Sequence, residues 1–94
     1  DPIINNITAV ASGGTVSRGI YNDDHSDPVI IGGTYTAISG SSSNIGVQNY
    51  NYSKPTLSGA LIKASGAGGT SNYGVVNTIY SAAVIRRCTI NPAL

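Results

Sequence analysis

The sequence predicts an all-β fold, a right-handed parallel β-helix of about 3.5 coils with three short strands in each coil. Its 94 residues fall into copies of 26 to 28 residues, and five kinds of residue recur at the same place in each complete copy. Short apolar stretches alternate with Gly, Ser, Asn and Pro, which is typical of strands separated by turns. Residues that recur once per copy can stack only if each turn of the chain climbs one strand spacing, about 4.8 Å, as in a β-solenoid.

The copies form one predicted domain, residues 1–94. Its complete coils are 1–26, 27–53 and 54–81, and residues 82–94 begin a fourth. The recurring positions are Pro2, Pro28 and Pro55; Gly19, Gly46 and Gly74; Ile20, Val47 and Val75; Asn22, Asn49 and Asn77; and Ser26, Ser53 and Ser81. The glycine-rich segments Gly13–Gly14 and Gly66–Gly69 are predicted to be flexible turns before the third strand of their coils.

The first two strands of each coil are assigned from the alternation of apolar residues. The first strand begins near Pro2 and its equivalents, where a proline removes little of the ladder. Its inward column is predicted to be Ile4, Ile30, Leu57 and Ile85. The second strand covers residues 7–11, 33–37, 60–64 and 88–90, with an inner face of Ile7 and Ala9, Gly33 and Tyr35, Ala60 and Ile62, and Cys88 and Ile90.

The third strand is predicted over residues 19–22, 46–49 and 74–77. Its apolar residue and its asparagine lie two positions apart, so both point to the same side. If Ile20, Val47 and Val75 point inward, then Asn22, Asn49 and Asn77 also point inward. Stacked amides can exchange hydrogen bonds from coil to coil, which removes the penalty for burying them. The sequence therefore predicts an internal asparagine ladder.

The composition excludes several classes of partner. Charged residues make up 10% of the chain, five Lys and Arg against four Asp and Glu, which gives no field that would attract nucleic acid or an anionic membrane. No apolar run approaches the roughly 20 residues of a membrane-spanning helix. Cys88 is the only cysteine, so neither an intrachain disulfide nor a cysteine metal cluster can form. We expect no nucleic-acid partner, no membrane insertion and no cofactor.

Two charged clusters interrupt the repeat. Asp23, Asp24 and Asp27 flank the only histidine, His25, and such a turn could hold Ca²⁺ or pair a base with a carboxylate. The aligned residues of the other copies form a variable turn, where Asp and Ser are ordinary. Arg86 and Arg87 lie three coils away, which is too far to share a site with the carboxylates, and charges that keep a terminal coil soluble explain them better. The sequence predicts no catalytic residue.

Tyrosines also recur at this variable corner. Tyr50, Tyr52 and Tyr80 are predicted to form an aromatic stack that His25 extends. Exposed tyrosines on a repetitive surface can bind sugar rings, whereas stacking between coils stabilises a solenoid without any ligand. Both interpretations stay open.

Residues Ser43 to Pro55 carry the phrase Ser-Asn-(Ile/Tyr)-Gly-Val-x-Asn followed by x-x-x-Ser-x-Pro. This phrase resembles the repeats of bacterial secreted and surface proteins of the right-handed parallel β-helix type, which are pectate-lyase-like in architecture. The resemblance covers the whole chain and implies the fold. It leaves the function open, because such coils serve polysaccharide lyases, adhesins and phage fibres.

Two functions from different classes follow. The first is a structural and interaction segment of a larger extracellular or cell-surface β-helix protein, without catalytic activity. Such a segment should self-associate, either end to end through its strand edges or side by side, for example as a trimer. The alternative is a carbohydrate-binding or polysaccharide-lyase-like module, with the tyrosines as its platform and the carboxylates as Ca²⁺ ligands or base.

Overall fold

The computed structural model describes residues 2–67 and 70–92, and these residues form parallel strands that wind into about three turns of a β-solenoid. The strands are β1 (Ile3–Asn5), β2 (Thr8–Ser12), β3 (Val16–Asn22), β4 (Val29–Ile31), β5 (Thr34–Ile38), β6 (Ser43–Asn49), β7 (Thr56–Ser58), β8 (Leu61–Ser65), β9 (Ser71–Asn77), β10 (Val84–Arg86) and β11 (Thr89–Asn91). No helix occurs among these residues, which confirms the predicted all-β class and the three strands per coil. Gly68 and Gly69, from the predicted flexible turn, lie outside the described residues.

Successive coils contribute one strand to each of three sheets. The first sheet has the order β1-β4-β7-β10, the second β2-β5-β8-β11, and the third β3-β6-β9. Equivalent positions of the repeat pair directly, for example Ile4 with Ile30 and Ile30 with Leu57. Because the register never slips, each repeating residue type forms a column along the solenoid axis.

The core lies between the three sheets and consists of the predicted columns. Ile30 and Leu57 in the first sheet, Ile62 in the second and Val47 in the third have no exposed surface. Five apolar residues of the outer coils pack against this centre and are half-buried: Ile4, Ile20, Ile85, Cys88 and Ile90. Ile7, which the sequence assigns to the inner face of the second sheet, is 49% exposed and does not contribute to the core. Ile7 precedes β2, and in the described residues no coil lies above it.

The third strand is longer than predicted and has a bend at its glycine. It begins three residues before Gly19, Gly46 and Gly74, at Val16, Ser43 and Ser71. The cross-strand register skips the glycines. In β6, Asn44 on one side of Gly46 and both Val47 and Asn49 on the other are buried, although strict alternation cannot place all three on one face. The bend at the glycine therefore turns both halves of the strand toward the core.

The copies differ in length at one turn only. Two residues connect the first strand to the second in every coil, and six connect the third strand to the first strand of the next coil. The turn from the second to the third strand grows along the chain. It has three residues after β2 (13–15), four after β5 (39–42) and five after β8 (66–70). This turn accounts for the whole difference between copies of 26, 27 and 28 residues.

Tyr35 supplies the bulk of the second sheet's inner face. It is 1% exposed, and its hydroxyl donates a hydrogen bond to the Gly32 carbonyl oxygen at 3.1 Å. Burial raises the pKa of this phenol above its ordinary value of 10.0. In the unfolded chain the phenol ionises near that ordinary value, whereas in the folded protein it stays neutral. The contribution of this raised pKa to the free energy of unfolding is therefore complete below pH 10.0. It is lost as the pH rises through the folded-state pKa.

We expect Tyr35→Phe to weaken the alkaline loss of stability. The free energy of unfolding, measured by urea denaturation from about pH 8 to about pH 11, should fall less steeply for the variant than for the native chain. At neutral pH the variant should be less stable by about 1 kcal/mol, because the Gly32 carbonyl loses its donor. Equal slopes for the two proteins in the alkaline range would contradict the assignment to Tyr35.

Candidate functional site

The predicted asparagine ladder is present inside the third sheet. Asn22 Nδ2 donates to Asn49 Oδ1 at 2.8 Å, and Asn49 Nδ2 donates to Asn77 Oδ1 at 2.8 Å. Asn49 has no exposed surface and Asn22 is 7% exposed, whereas Asn77, in the last strand of this sheet, is exposed. Both hydrogen bonds run in the same direction along the axis, so the ladder has a polarity.

A second pair of amides, which sequence reasoning missed, lies at the other end of the same strands. Asn44 is fully buried, accepts a hydrogen bond from Gly40 N at 2.7 Å, and donates from Nδ2 to Asn72 Oδ1 at 3.0 Å. The equivalent residue of the first coil is Ser17, whose hydroxyl donates to the Gly13 carbonyl oxygen at 2.6 Å. The recurrence of Asn44 and Asn72 was a usable signal, but the prediction that the strand begins at the glycine placed them in a turn.

The recurring serines form a third polar column at the corner between the third and first sheets. Ser26 N donates to Ser53 Oγ at 3.2 Å, and Ser53 N donates to Ser81 Oγ at 3.0 Å. Ser53 is fully buried, and its hydroxyl also donates to the Tyr50 carbonyl oxygen at 2.8 Å. One hydroxyl thus closes its own turn and accepts a hydrogen bond from the preceding coil.

We expect Ser53→Ala to destabilise the protein by about 1–2 kcal/mol. The change removes the donor to Tyr50 O and the acceptor of Ser26 N at a site without access to water. Ser58→Ala is the matched control, because Ser58 lies half-buried in β7 and has no side-chain hydrogen bond within the described chain. The control should change the free energy of unfolding by less than about 0.5 kcal/mol. Equal losses in a denaturant titration would contradict a role for the serine column.

The corner turns themselves adopt a conformation that side chains rarely take. Each has two consecutive residues with positive φ, at 54° and 62° for Asp24 and His25, 55° and 64° for Asn51 and Tyr52, and 53° and 58° for Ile79 and Tyr80. The backbone bonds successive turns together, as from His25 N to Asn51 O at 3.0 Å and from Tyr52 N to Ile79 O at 2.9 Å. This pairing offsets the strain and places equivalent side chains above one another.

Three aromatic side chains stack at this corner: His25, Tyr52 and Tyr80. The rings of His25 and Tyr52 are 5.2 Å apart at 4°, and those of Tyr52 and Tyr80 are 5.3 Å apart at 23°. Tyr50 was predicted to join this aromatic stack but lies beside it, with its ring 6.4 Å from that of Tyr21. Tyr50 precedes the two positive-φ residues, and its side chain lies next to Tyr21 of the third sheet.

The geometry of the aromatic stack limits what it could bind. A sugar ring packs on the face of an aromatic ring. Each face of Tyr52 lies against another ring, so only the edge of Tyr52 is available to a ligand. Tyr80 is 79% exposed and has a neighbouring ring on one face only. Tyr80 is therefore the one member of the predicted platform that presents a largely uncovered ring, among the described residues.

The acidic turn does not gather its carboxylates into one site. Asp24 Oδ1 lies 3.2 Å from His25 Nδ1, whereas Asp27 Oδ1 accepts a hydrogen bond from Lys54 N at 2.8 Å. Within residues 2–67 and 70–92, no group of three His, Cys, Asp or Glu side chains is arranged to hold a metal ion. The predicted Ca²⁺ ligands Asp23, Asp24 and Asp27 therefore do not converge. Arg86 lies in the fourth row of the first sheet, about 14 Å along the axis from the first row.

The surface of the described chain has no cleft or cavity able to enclose a small molecule. None of its residues belongs to a helix of the length and apolarity needed to cross a bilayer. The fold and its internal ladders define a parallel β-solenoid. No family model matches the chain, and neither a curated protein nor a solved structure matches it. The fold implied by the resemblance of Ser43 to Pro55 is thus present, but no matching family supports a bacterial or pectate-lyase-like origin.

Proposed function

We propose that this chain is a structural and interaction segment of a larger extracellular or cell-surface β-helix protein, that it self-associates, and that it has no catalytic activity of its own. The observation that carries the proposal is that the recurring polar side chains form hydrogen bonds between coils. Asn22 and Asn49 direct their amides along the interior of the solenoid, where each donates to the asparagine of the next coil, Asn49 and Asn77 respectively. The repeat therefore uses its recurring hydrogen-bonding groups for rigidity along the axis.

Support for self-association comes from the outer face of the first sheet. One column of this face consists of Ile3, Val29, Thr56 and Val84, which pair directly from coil to coil. Ile3 is 71% exposed, Val29 37% and Val84 49%. All four are β-branched, so the column is a flat and stiff surface. Exposed apolar surface of this kind is typical of a contact with another protein.

Sedimentation equilibrium over a range of concentrations tests this function. We expect the average mass of the native chain to rise with concentration, and Val29→Lys to shift the association to higher concentration. Val10→Lys is the matched control, because Val10 is a valine with 63% exposure on the outer face of the second sheet. A native chain that stays monomeric at every concentration would contradict self-association, and equal effects of the two lysines would exclude the first-sheet column as the contact.

A carbohydrate-binding module is the second candidate, and the exposed ring of Tyr80 favours it. A glycan array probed with and without Ca²⁺ tests this candidate. Binding that is lost in Tyr80→Ala and retained in Ile79→Ala would establish it, since Ile79 is an exposed residue of the same turn. Absence of binding to every glycan in both conditions would leave the structural role alone.

A further inference from the structure

Two tyrosines at the corner of the solenoid are paired across neighbouring coils. The rings of Tyr52 and Tyr80 are 5.3 Å apart with an interplanar angle of 23°, so they stack on each other. The other ring stacked on Tyr52 is that of His25, at 5.2 Å. Among the described residues, Tyr80 is therefore the one phenol stacked on the ring of Tyr52.

Backbone hydrogen bonds beside these rings hold the pair in register. Tyr52 N donates to the Ile79 carbonyl oxygen at 2.9 Å, and Ser53 N donates to Ser81 Oγ at 3.0 Å. The φ angles are 64° at Tyr52 and 58° at Tyr80, so the two side chains leave equivalent turns in the same direction. Two groups held in this way react within one molecule, at an effective concentration far above that of separate chains in dilute solution.

The reactive edge of the pair faces solvent. Both faces of the Tyr52 ring lie against other rings, yet 43% of the residue is exposed, so its uncovered surface is at the ring edge. The carbons ortho to a phenol oxygen lie on that edge, and these are the carbons that join when two tyrosyl radicals couple. The corner therefore holds two phenols together and leaves their edges open to a small oxidant.

The other tyrosines each lack one of these features. Tyr35 is 1% exposed, which shields it from an oxidant. Tyr73 has no aromatic neighbour within the described part of the chain. Tyr21 and Tyr50 are further apart, at 6.4 Å. The guanidinium of Arg18 also lies over the ring of Tyr21, 4.9 Å from its centroid, and a cation in this place opposes the loss of an electron from the ring.

We propose that Tyr52 and Tyr80 form a site of oxidative modification, where hydrogen peroxide and a haem peroxidase join the two rings as dityrosine. Each phenol gives up one electron and its proton and becomes a phenoxyl radical. The two radicals form one carbon–carbon bond between their ortho carbons, and the hydrogen of each of these carbons moves to the phenol oxygen of its own ring. Hydrogen peroxide takes up both electrons and both protons and is reduced to water, so atoms and electrons balance.

The cross-link would tie the second coil to the third. It closes a loop one repeat long, and such a loop restricts the unfolded chain as a disulfide does. We expect the melting temperature of the cross-linked protein to rise by about 10 °C or more. The proposal deepens the proposed structural role, on which its biological purpose rests, because the modification would stiffen the solenoid along its axis.

Oxidation of the dilute protein by hydrogen peroxide and a haem peroxidase tests the proposal. We expect dityrosine fluorescence, a product that stays monomeric on a denaturing gel, and a mass lower by one hydrogen atom per joined ring. Tyr52→Phe and Tyr80→Phe keep the ring and remove the phenol, so each should lower the yield of this product at least about tenfold. A mainly dimeric product, or a yield unchanged by Tyr80→Phe, would overturn the proposal.

Tyr50→Phe and Tyr73→Phe are the matched controls, since both tyrosines are exposed and neither stacks on the pair. Both controls should give the native yield, and a loss in either as large as that in Tyr52→Phe would contradict the assignment.

The melting temperature separates the cross-link from other oxidation. Treated Tyr80→Phe should melt at the temperature of its untreated form, whereas a rise equal to that of the native protein would show that the cross-link is not its cause. A chain that self-associates in sedimentation but forms no cross-link would retain the structural role and lose this modification alone.

Discussion

Replacing Gly46 with alanine is expected to destabilise the solenoid by about 3 kcal/mol or more. A Cβ at this position would overlap Ile62 Cγ2 and would lie 2.6 Å from the Gly74 carbonyl oxygen. The first contact belongs to the buried column of the second sheet and the second to the backbone of the next coil. Neither Ile62 nor the backbone of Gly74 can move without separating the sheets. The alanine side chain would therefore displace the third strand and disrupt its packing on the second sheet.

Thermal and urea denaturation check this expectation, and the melting temperature should fall by about 10 °C or more. Gly59→Asn is the control, because a Cβ at Gly59 meets nothing within 4 Å and its φ of +65° is one that asparagine tolerates. Asn6 already occupies the equivalent position of the first coil with a φ of 49°. The control should change stability by less than about 1 kcal/mol. A Gly46→Ala protein as stable as Gly59→Asn would show that the third and second sheets are less close than described.

The second large effect is expected from Asn49→Leu, at about 2–4 kcal/mol. Leucine has a similar volume, so the loss arises from hydrogen bonding. Asn22 Nδ2 loses its acceptor and Asn77 Oδ1 loses its donor. Asn77 is exposed and can bind water instead, whereas Asn22 is 7% exposed and cannot. The cost therefore falls mainly on Asn22, in the coil above the substitution.

Urea denaturation of three variants separates the ladder from the residue type. Asn5→Leu exchanges the same two residue types at an exposed strand position and should change the free energy of unfolding by less than about 0.5 kcal/mol. Asn77→Leu removes one hydrogen bond at the exposed end of the ladder and should cost less than Asn49→Leu. If Asn49→Leu matched the stability of Asn5→Leu, the ladder would contribute nothing to the fold.

The sequence alone was sufficient for the coil and most of its interior. A parallel stack in register repeats the same environment in every row, so one correct inward residue identifies a whole column. Ile30 and Leu57 in the first sheet and Asn22 and Asn49 in the third follow from the alternation of side chains along single strands. Ile7 is exposed although it was assigned to the inner face, because alternation predicts only the direction of a side chain and takes no account of how many coils cover it.

The bend of the third strand could not be predicted from alternation. A glycine is unfavourable in the middle of a strand, and the predicted third strands begin at Gly19, Gly46 and Gly74. In the folded chain their lack of a side chain is what lets the third sheet approach the second. The consequence was that Asn44 and Asn72 were assigned to a turn, and the second pair of buried amides was missed.

The sequence predicted the stacked rings of the corner correctly, but it placed Tyr50 in the stack incorrectly. His25, Tyr52 and Tyr80 occupy equivalent positions of the repeat and stack as expected. Tyr50 lies two residues before Tyr52, which in a regular strand would place both rings on one side. The positive φ values of Asn51 and Tyr52 depart from strand geometry, so the alternation of side chains does not hold at this corner. A sequence without glycine at these positions gives no sign of such a turn.

The turn between the second and third strands, with three, four and five residues in successive coils, is the place where this fold absorbs insertions. One extra residue there costs only a small increment of loop-closure entropy, because the strands on both sides keep their partners. An extra residue between a third strand and the next first strand would displace the serine column and the aromatic corner together. New sequence, including a grafted recognition loop, would therefore be accommodated along a single edge of the solenoid, between its second and third sheets, while every ladder stays in register.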